Sequence, residues 1–154
     1  MALDSQQVEL IGRNLLIAQL VADGLEVAVP TRDRGVDLIA YSDREDHGRF
    51  VAKPIQLKAA SAQAFSIDQK YERVTELLLA YVWNVADPTN ALTMCLTYSE
   101  ALAVASEMGW TTTASWKNGK YSNNSPGRRL RELLVPYEMH PGAWRERIGL
   151  RAGS

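Results

Sequence analysis

The sequence predicts one α/β domain with the element order αβββαββαα, and three observations lead there. The chain has 154 residues, 46% of them hydrophobic and 23% charged, which suits a single domain with a core of its own. A proline-free, apolar-rich run from about Ser5 to Asp23 stops at Gly24, as a helix followed by a glycine C-cap does. In Pro54-Ile55-Gln56-Leu57-Lys58, apolar and polar side chains alternate, so Gln56 and Lys58 take one face of a strand and Ile55 and Leu57 the other.

In the first helix, Val8, Leu10, Ile11, Leu15, Leu16, Ile17, Leu20 and Val21 cover most of the circumference. Such a helix is expected in a core or against a second subunit, so a homodimer or higher homo-oligomer is expected. Leu25–Val29, Val36–Tyr41 and Phe50–Lys58 read as strands separated by charged or glycine-containing turns. Pro54 lacks an amide donor and predicts a bulge or an edge position in the third strand. Asp33 before Gly35 reads as a turn residue. Ile67–Leu79 is helical in pattern, with Lys70-Tyr71 near its start, and Leu78–Val85 and Ala91–Thr97 read as two further strands. Ser99 is expected to cap a helix running to Glu107 and ended by Met108-Gly109, and Ser125-Pro126 to open a last helix to about Leu134. A core of about residues 5–97 would then carry a basic and aromatic extension over about 98–154.

The formal net charge is −1, so no global basic signature marks a nucleic-acid binder. From Lys117 to Arg151, however, eight basic residues stand against three acidic ones, and this third can face a polyanion. Lys70, Lys117, Lys120, Arg128, Arg129 and Arg131 are the candidate nucleic-acid contacts. Trp116-Lys117-Asn118-Gly119-Lys120-Tyr121 interleaves aromatic and basic residues; Trp116 and Tyr121 either stack on bases or close the core over the last helix. Cys95 is the only cysteine, which excludes an intrachain disulfide and a cysteine-based zinc site. With neither a leader pattern nor a long apolar run, a cytoplasmic protein is expected. His47 and His140 are far apart in sequence and support neither a histidine metal site nor a Ser-His triad.

The chemistry concentrates on Asp37, Gln56 and Lys58. Hydrolysis of a phosphodiester needs a divalent cation to gather charge on the phosphate and activate water, and a basic side chain to position that water. Asp37 offers a carboxylate, Gln56 an amide oxygen, Leu57 its backbone carbonyl and Lys58 the positive charge. This is a hard-oxygen set suited to Mg²⁺, with Mn²⁺ an alternative. Glu9 lies on the helical stripe of Leu16 and Leu20 and is a further candidate carboxylate at the edge of an apolar surface.

With these residues the chain resembles the PD-(D/E)XK nuclease superfamily over about Glu9 to Leu79, in a Gln-X-Lys form like that of some homing endonucleases and resolvase-like enzymes. The resemblance implies a restriction-endonuclease-like core: a helix bearing a glutamate, a three-stranded antiparallel meander, a crossover helix and a parallel strand. It would make Glu9 the first-helix glutamate, Asp37 the metal-binding aspartate, Gln56 the second motif position and Lys58 the lysine. The implied activity is Mg²⁺-dependent cleavage of DNA, with RNA an alternative substrate. The chain departs from the pattern at Gln56, where a second acid is usual, and the neutral ligand weakens metal binding.

Singly, Asp37 is an ordinary strand-end aspartate, and Gln-X-Lys an ordinary solvent face of a sheet. Two other functions therefore compete with the nuclease. One is a non-catalytic nucleic-acid-binding module of the same fold. The other is an accessory or protein-interaction subunit using the first helix and the aromatics from Trp110 onward.

Overall fold

The structure, a computed structural model, describes residues 2–42 and 50–150; His47 and Arg151 lie outside them. Helix α1 (Ser5–Ala22) starts at Asp4, whose Oδ1 accepts from Gln7 N at 2.9 Å while Gln7 Oε1 accepts from Asp4 N at 3.0 Å. This reciprocal cap satisfies two backbone donors that the first turn leaves free. One stripe of α1 is fully buried, Gly12, Leu16 and Leu20, whereas Leu10 and Val21 are more than half exposed. The apolar circumference read from the sequence is thus only partly covered within this chain.

Five strands form a mixed central sheet in the order β1 (Glu26–Ala28), β2 (Leu38–Ser42), β3 (Val51–Ala59), β5 (Leu78–Trp83) and β6 (Leu92–Thr97). The first three make an antiparallel meander, β3 and β5 run parallel, and β6 returns antiparallel. A mixed α/β architecture is therefore present as expected. Pro54 pairs with Ile39 on one side, while the register with β5 begins only at Ile55. β3 is central for most of its length, but at Pro54 it is an edge toward β5, and the missing donor breaks no β3–β5 pair.

The connection from β3 to β5 differs from the expected helix. It consists of strand β4 (Phe65–Asp68), a 3₁₀ turn over Gln69–Arg73 and a short bend into β5. Phe65-Ser66-Ile67-Asp68 alternates buried and half-buried residues, the period of a strand. Tyr71, Val74 and Leu77 recur every three residues, a spacing that reads as α-helical but here follows the 3₁₀ turn. β4 pairs antiparallel with β7 (Lys120–Asn123) in a separate two-stranded sheet, so the end of the aromatic and basic run Trp116–Tyr121 is part of a strand.

Helix α2 (Tyr98–Glu107) is capped by Thr97, not Ser99: Glu100 N donates to Thr97 Oγ1, and Glu100 Oε1 accepts from Thr97 N. Short α3 (Ala114–Lys117) precedes β7, α4 (Arg128–Leu134) fills the place of the expected last helix, and α5 (Ala143–Arg147) follows it. No described helix is long and apolar enough to cross a membrane.

The sheet has a core on each face. Strand β5 is buried throughout and divides its side chains between them: Leu78, Ala80 and Val82 meet Leu16, Leu20, Ile55, Leu57 and Trp144, while Leu79, Tyr81 and Trp83 meet Phe65, Tyr71, Ala101, Leu130 and Trp110. Trp110 stacks on Tyr121 at 4.5 Å between centroids, and Trp116 and Tyr121 pack against the second cluster. Of the two sequence readings for these aromatics, the core one holds. The tail docks on the body: Asp23 accepts from Gly142 N and Trp144 N, and Trp144 is 1% exposed.

Candidate active site

Strand β2 begins at Leu38, so the backbone of β3 at Leu57 runs past the end of its neighbour. An N–H left over at such a place needs an acceptor. Asp37 supplies it: Oδ2 accepts from Leu57 N at 2.7 Å, while Asp37 N donates to Ile55 O at 2.9 Å. The carboxylate thus replaces a missing rung of the ladder and is fixed beside β3, with Oδ1 free of protein hydrogen bonds among the described residues.

Gln56 and Lys58 leave β3 on the face shared with Leu79 and Tyr81, opposite Ile55 and Leu57, as the alternation predicts. Gln56 Nε2 makes a long 3.4 Å contact to Leu57 O, and Gln56 Oε1 is buried with no hydrogen-bond partner. An unpaired buried carbonyl oxygen is costly, and a cation is one group that would satisfy it.

An open cleft of about 680 Å³ brings these residues together, lined among others by Glu9, Asp33, Asp37, Gln56, Leu57 and Lys58. Glu9 arrives on the first turns of α1, which lies close on β3 because Gly12 has no side chain: a Cβ there would stand 2.5 Å from Ala59 Cβ. Glu9 is mostly exposed and 3.9 Å from Arg13. Asp33 turns the chain before β2, its Oδ1 accepting from Gly35 N, and also reaches the cleft wall.

Burial and neighbouring charges shift both ionisable groups brought together here, Asp37 and Lys58. Burial raises the Asp37 pKa above the usual aspartate value, the Leu57 N–H opposes the rise, Asp33 and Glu9 add to it, and Lys58 opposes it. Burial also depresses the Lys58 pKa; Lys70 adds to the depression, and Asp68 and Asp37 oppose it. Among the described residues no three His, Cys, Asp or Glu side chains cluster closely enough to hold a metal. A cation here would need Gln56 Oε1, Leu57 O and solvent or substrate oxygens beside the Asp37 carboxylate, which is how Mg²⁺ commonly sits.

Sequence reasoning missed several cleft residues. Ser61, Ala62 and Gln63 follow β3 directly, and Asn124 comes from the far end of β7. Tyr71, read as the start of a helix, lies with its ring centroid 4.8 Å from Lys58 Nζ and 5.2 Å from Lys70 Nζ. The period-two pattern of Phe65–Asp68 signals the strand that delivers Tyr71, whereas nothing local marks Asn124. The six basic candidates are all exposed, but Arg128 pairs with Glu132, Arg129 with Glu107 and Lys70 with Asp68. Lys117, Lys120 and Arg131 form no ion pair among the described residues. His140 lies on the surface away from the cleft, beside Asp23 and Trp144.

The fold and site define a mixed α/β protein with a carboxylate, an amide oxygen and a lysine gathered in one cleft at the end of a meander. No family model and no curated protein matches the sequence. Among solved structures the chain is similar to a bacterial homing endonuclease, I-Ssp6803I, at 12% identity over 93% of this chain and 90% of that one, with a TM-score of 0.48.

Proposed function

We propose that the protein is a metal-dependent endonuclease that hydrolyses DNA phosphodiester bonds. The observation that carries this reading is the buried, unpartnered Oε1 of Gln56, a residue that lines the cleft together with Asp37 and Lys58. Asp37, Gln56 Oε1 and the Leu57 carbonyl would hold Mg²⁺ or Mn²⁺, and Glu9 would reach it through water. When bound, the cation supplies Lewis-acid stabilisation of phosphate charge and lowers the pKa of water.

The chain's own residues do the rest. Lys58 places positive charge against the phosphate and helps orient the attacking water for in-line displacement. Asp37, tied to Leu57 N through one oxygen, would offer the other to the cation. Lys117, Lys120 and Arg131 are the strongest candidates for phosphate contacts along the flanking DNA, followed by Lys70, Arg128 and Arg129. A homodimer or higher oligomer belongs to the same reading, because cutting both strands of a duplex calls for two sites, and Leu10 and Val21 give α1 an exposed apolar side. A cytoplasmic location suits the lone, buried Cys95.

The test is cleavage of duplex, branched and single-stranded DNA, with RNA alongside, in Mg²⁺ or Mn²⁺, comparing wild type with Asp37→Ala and Lys58→Ala. Metal-dependent cutting lost in both variants supports the proposal; cutting that survives Lys58→Ala at the wild-type rate sinks it. One observation favours a second reading, a non-catalytic nucleic-acid-binding module: the site has no three-acid cluster among the described residues. Salt-sensitive binding without cutting across the panel would select that reading.

A further inference from the structure

Lys58 is the candidate catalytic cation, yet among the described residues it has no ion pair and no hydrogen bond. What lies against its ammonium is the Tyr71 ring, 4.8 Å from Nζ to centroid. We infer that Tyr71 is a positioning residue for Lys58, its ring holding the ammonium at the cleft by a cation–π contact. For its catalytic consequence the inference rests on the hydrolytic reading above.

The ring is well placed to do this. Tyr71 is 2% exposed and packs in the core beneath β5. The 3₁₀ turn that carries it is clamped at Gln69, whose N donates to Gly119 O at 2.8 Å and whose Nε2 donates to Trp116 O at 2.6 Å. The turn is capped by Asp68, which accepts from Lys70 N at 3.0 Å. A ring also differs chemically from a carboxylate partner. It attracts the charge through its quadrupole but accepts no conventional hydrogen bond, so all three ammonium N–H groups stay available to water and phosphate. Lys70 approaches the same ring at 5.2 Å, but it is largely exposed and pairs with Asp68 at 3.7 Å.

The test replaces Tyr71 with phenylalanine and then with mono-, di- and trifluorinated phenylalanine, which drain the ring's negative face while nearly keeping its shape. Two readouts are taken: the ring-current displacement of the Lys58 Hε resonances, and kcat and KM for DNA in Mg²⁺. The expected result is an upfield-shifted Lys58 signal in wild type and in Tyr71→Phe. With each added fluorine, kcat should fall, to about one tenth at the third (~1.4 kcal/mol), with KM unchanged. The same fall in a Lys70→Met background assigns the effect to Lys58. A flat kcat series, a fall that vanishes in Lys70→Met, or an undisplaced Lys58 signal in wild type overturns the inference. If Lys58→Ala cleaves normally, the hydrolytic reading fails, and the Lys58 resonance alone decides whether the ring holds the ammonium.

Discussion

Replacing Gly12 with alanine should destabilise the protein, although intrinsic helix propensity argues the other way. Within an α-helix, alanine is favoured over glycine by about 0.8–1.0 kcal/mol. The new Cβ, however, would stand 2.5 Å from Ala59 Cβ, against an optimal carbon–carbon separation of about 3.5–4.0 Å. Ala59 Cβ is the first carbon of its side chain on a strand and has no rotamer by which to escape. Helix α1 must therefore lift from β3 by on the order of 1 Å. Overpacking of this kind costs about 1–3 kcal/mol and offsets or exceeds the propensity gain, so a net loss of up to about 2 kcal/mol is expected. Urea denaturation measures it, and Gly12→Ala combined with Ala59→Gly should recover most of the loss. Cleavage should fall beyond the loss of folded protein, because Val8 and Glu9 on the same helix line the cleft. A Gly12→Ala protein more stable than wild type by about 1 kcal/mol, the outcome of propensity alone, would refute the close approach of α1 to β3.

Asp37→Asn and Asp37→Ala should separate charge from scaffold. The asparagine oxygen can still accept from Leu57 N, so stability should hold while Mg²⁺ binding by calorimetry is lost; alanine should also cost about 1–3 kcal/mol by stranding that N–H. Gln56→Glu should tighten Mg²⁺ binding severalfold in the same titration by adding a second negative ligand, and unchanged affinity would mean that Gln56 does not touch the ion. Cys95 is fully buried and its thiol pKa is pushed up to about 12, so it should resist thiol reagents in the native state and react once urea unfolds the chain. An acid whose folded pKa lies above its unfolded value binds more protons when folded between the two. Cys95 should therefore withdraw stability as pH rises from about 9 toward 12, by at most ~1.4 kcal/mol per pH unit. Cys95→Ser in parallel denaturation series isolates this slope.

The first helix, the meander and the two long buried strands were legible because each has a strong local signal. Alternation in β3 placed Gln56 and Lys58 together on one face, and the Asp33-Arg34-Gly35 turn before β2 followed from side-chain chemistry alone. The crossover misled because Tyr71, Val74 and Leu77 repeat at three, a spacing shared by α-helices and 3₁₀ turns, and because β4 is completed only by β7, more than fifty residues later. Thr97 capped α2 in place of Ser99, two serine- or threonine-type choices two residues apart that propensity does not separate.

What the sequence by itself determined is the first helix, the five strands of the central sheet in their order and the identity of the chemical groups, because side-chain periodicity and turn chemistry act over a few residues. Only the tertiary structure decided how those groups meet. Asp37 fills an empty rung beside Leu57, Gln56 Oε1 is left buried without a partner, and Gly12 lets α1 carry Glu9 to the cleft edge. Tyr71 lies against Lys58 because a two-stranded sheet built from distant segments carries it there. Such contacts depend on where the ends of separate elements fall in space, and that is settled by packing across the sheet, over distances at which local sequence pattern carries no information.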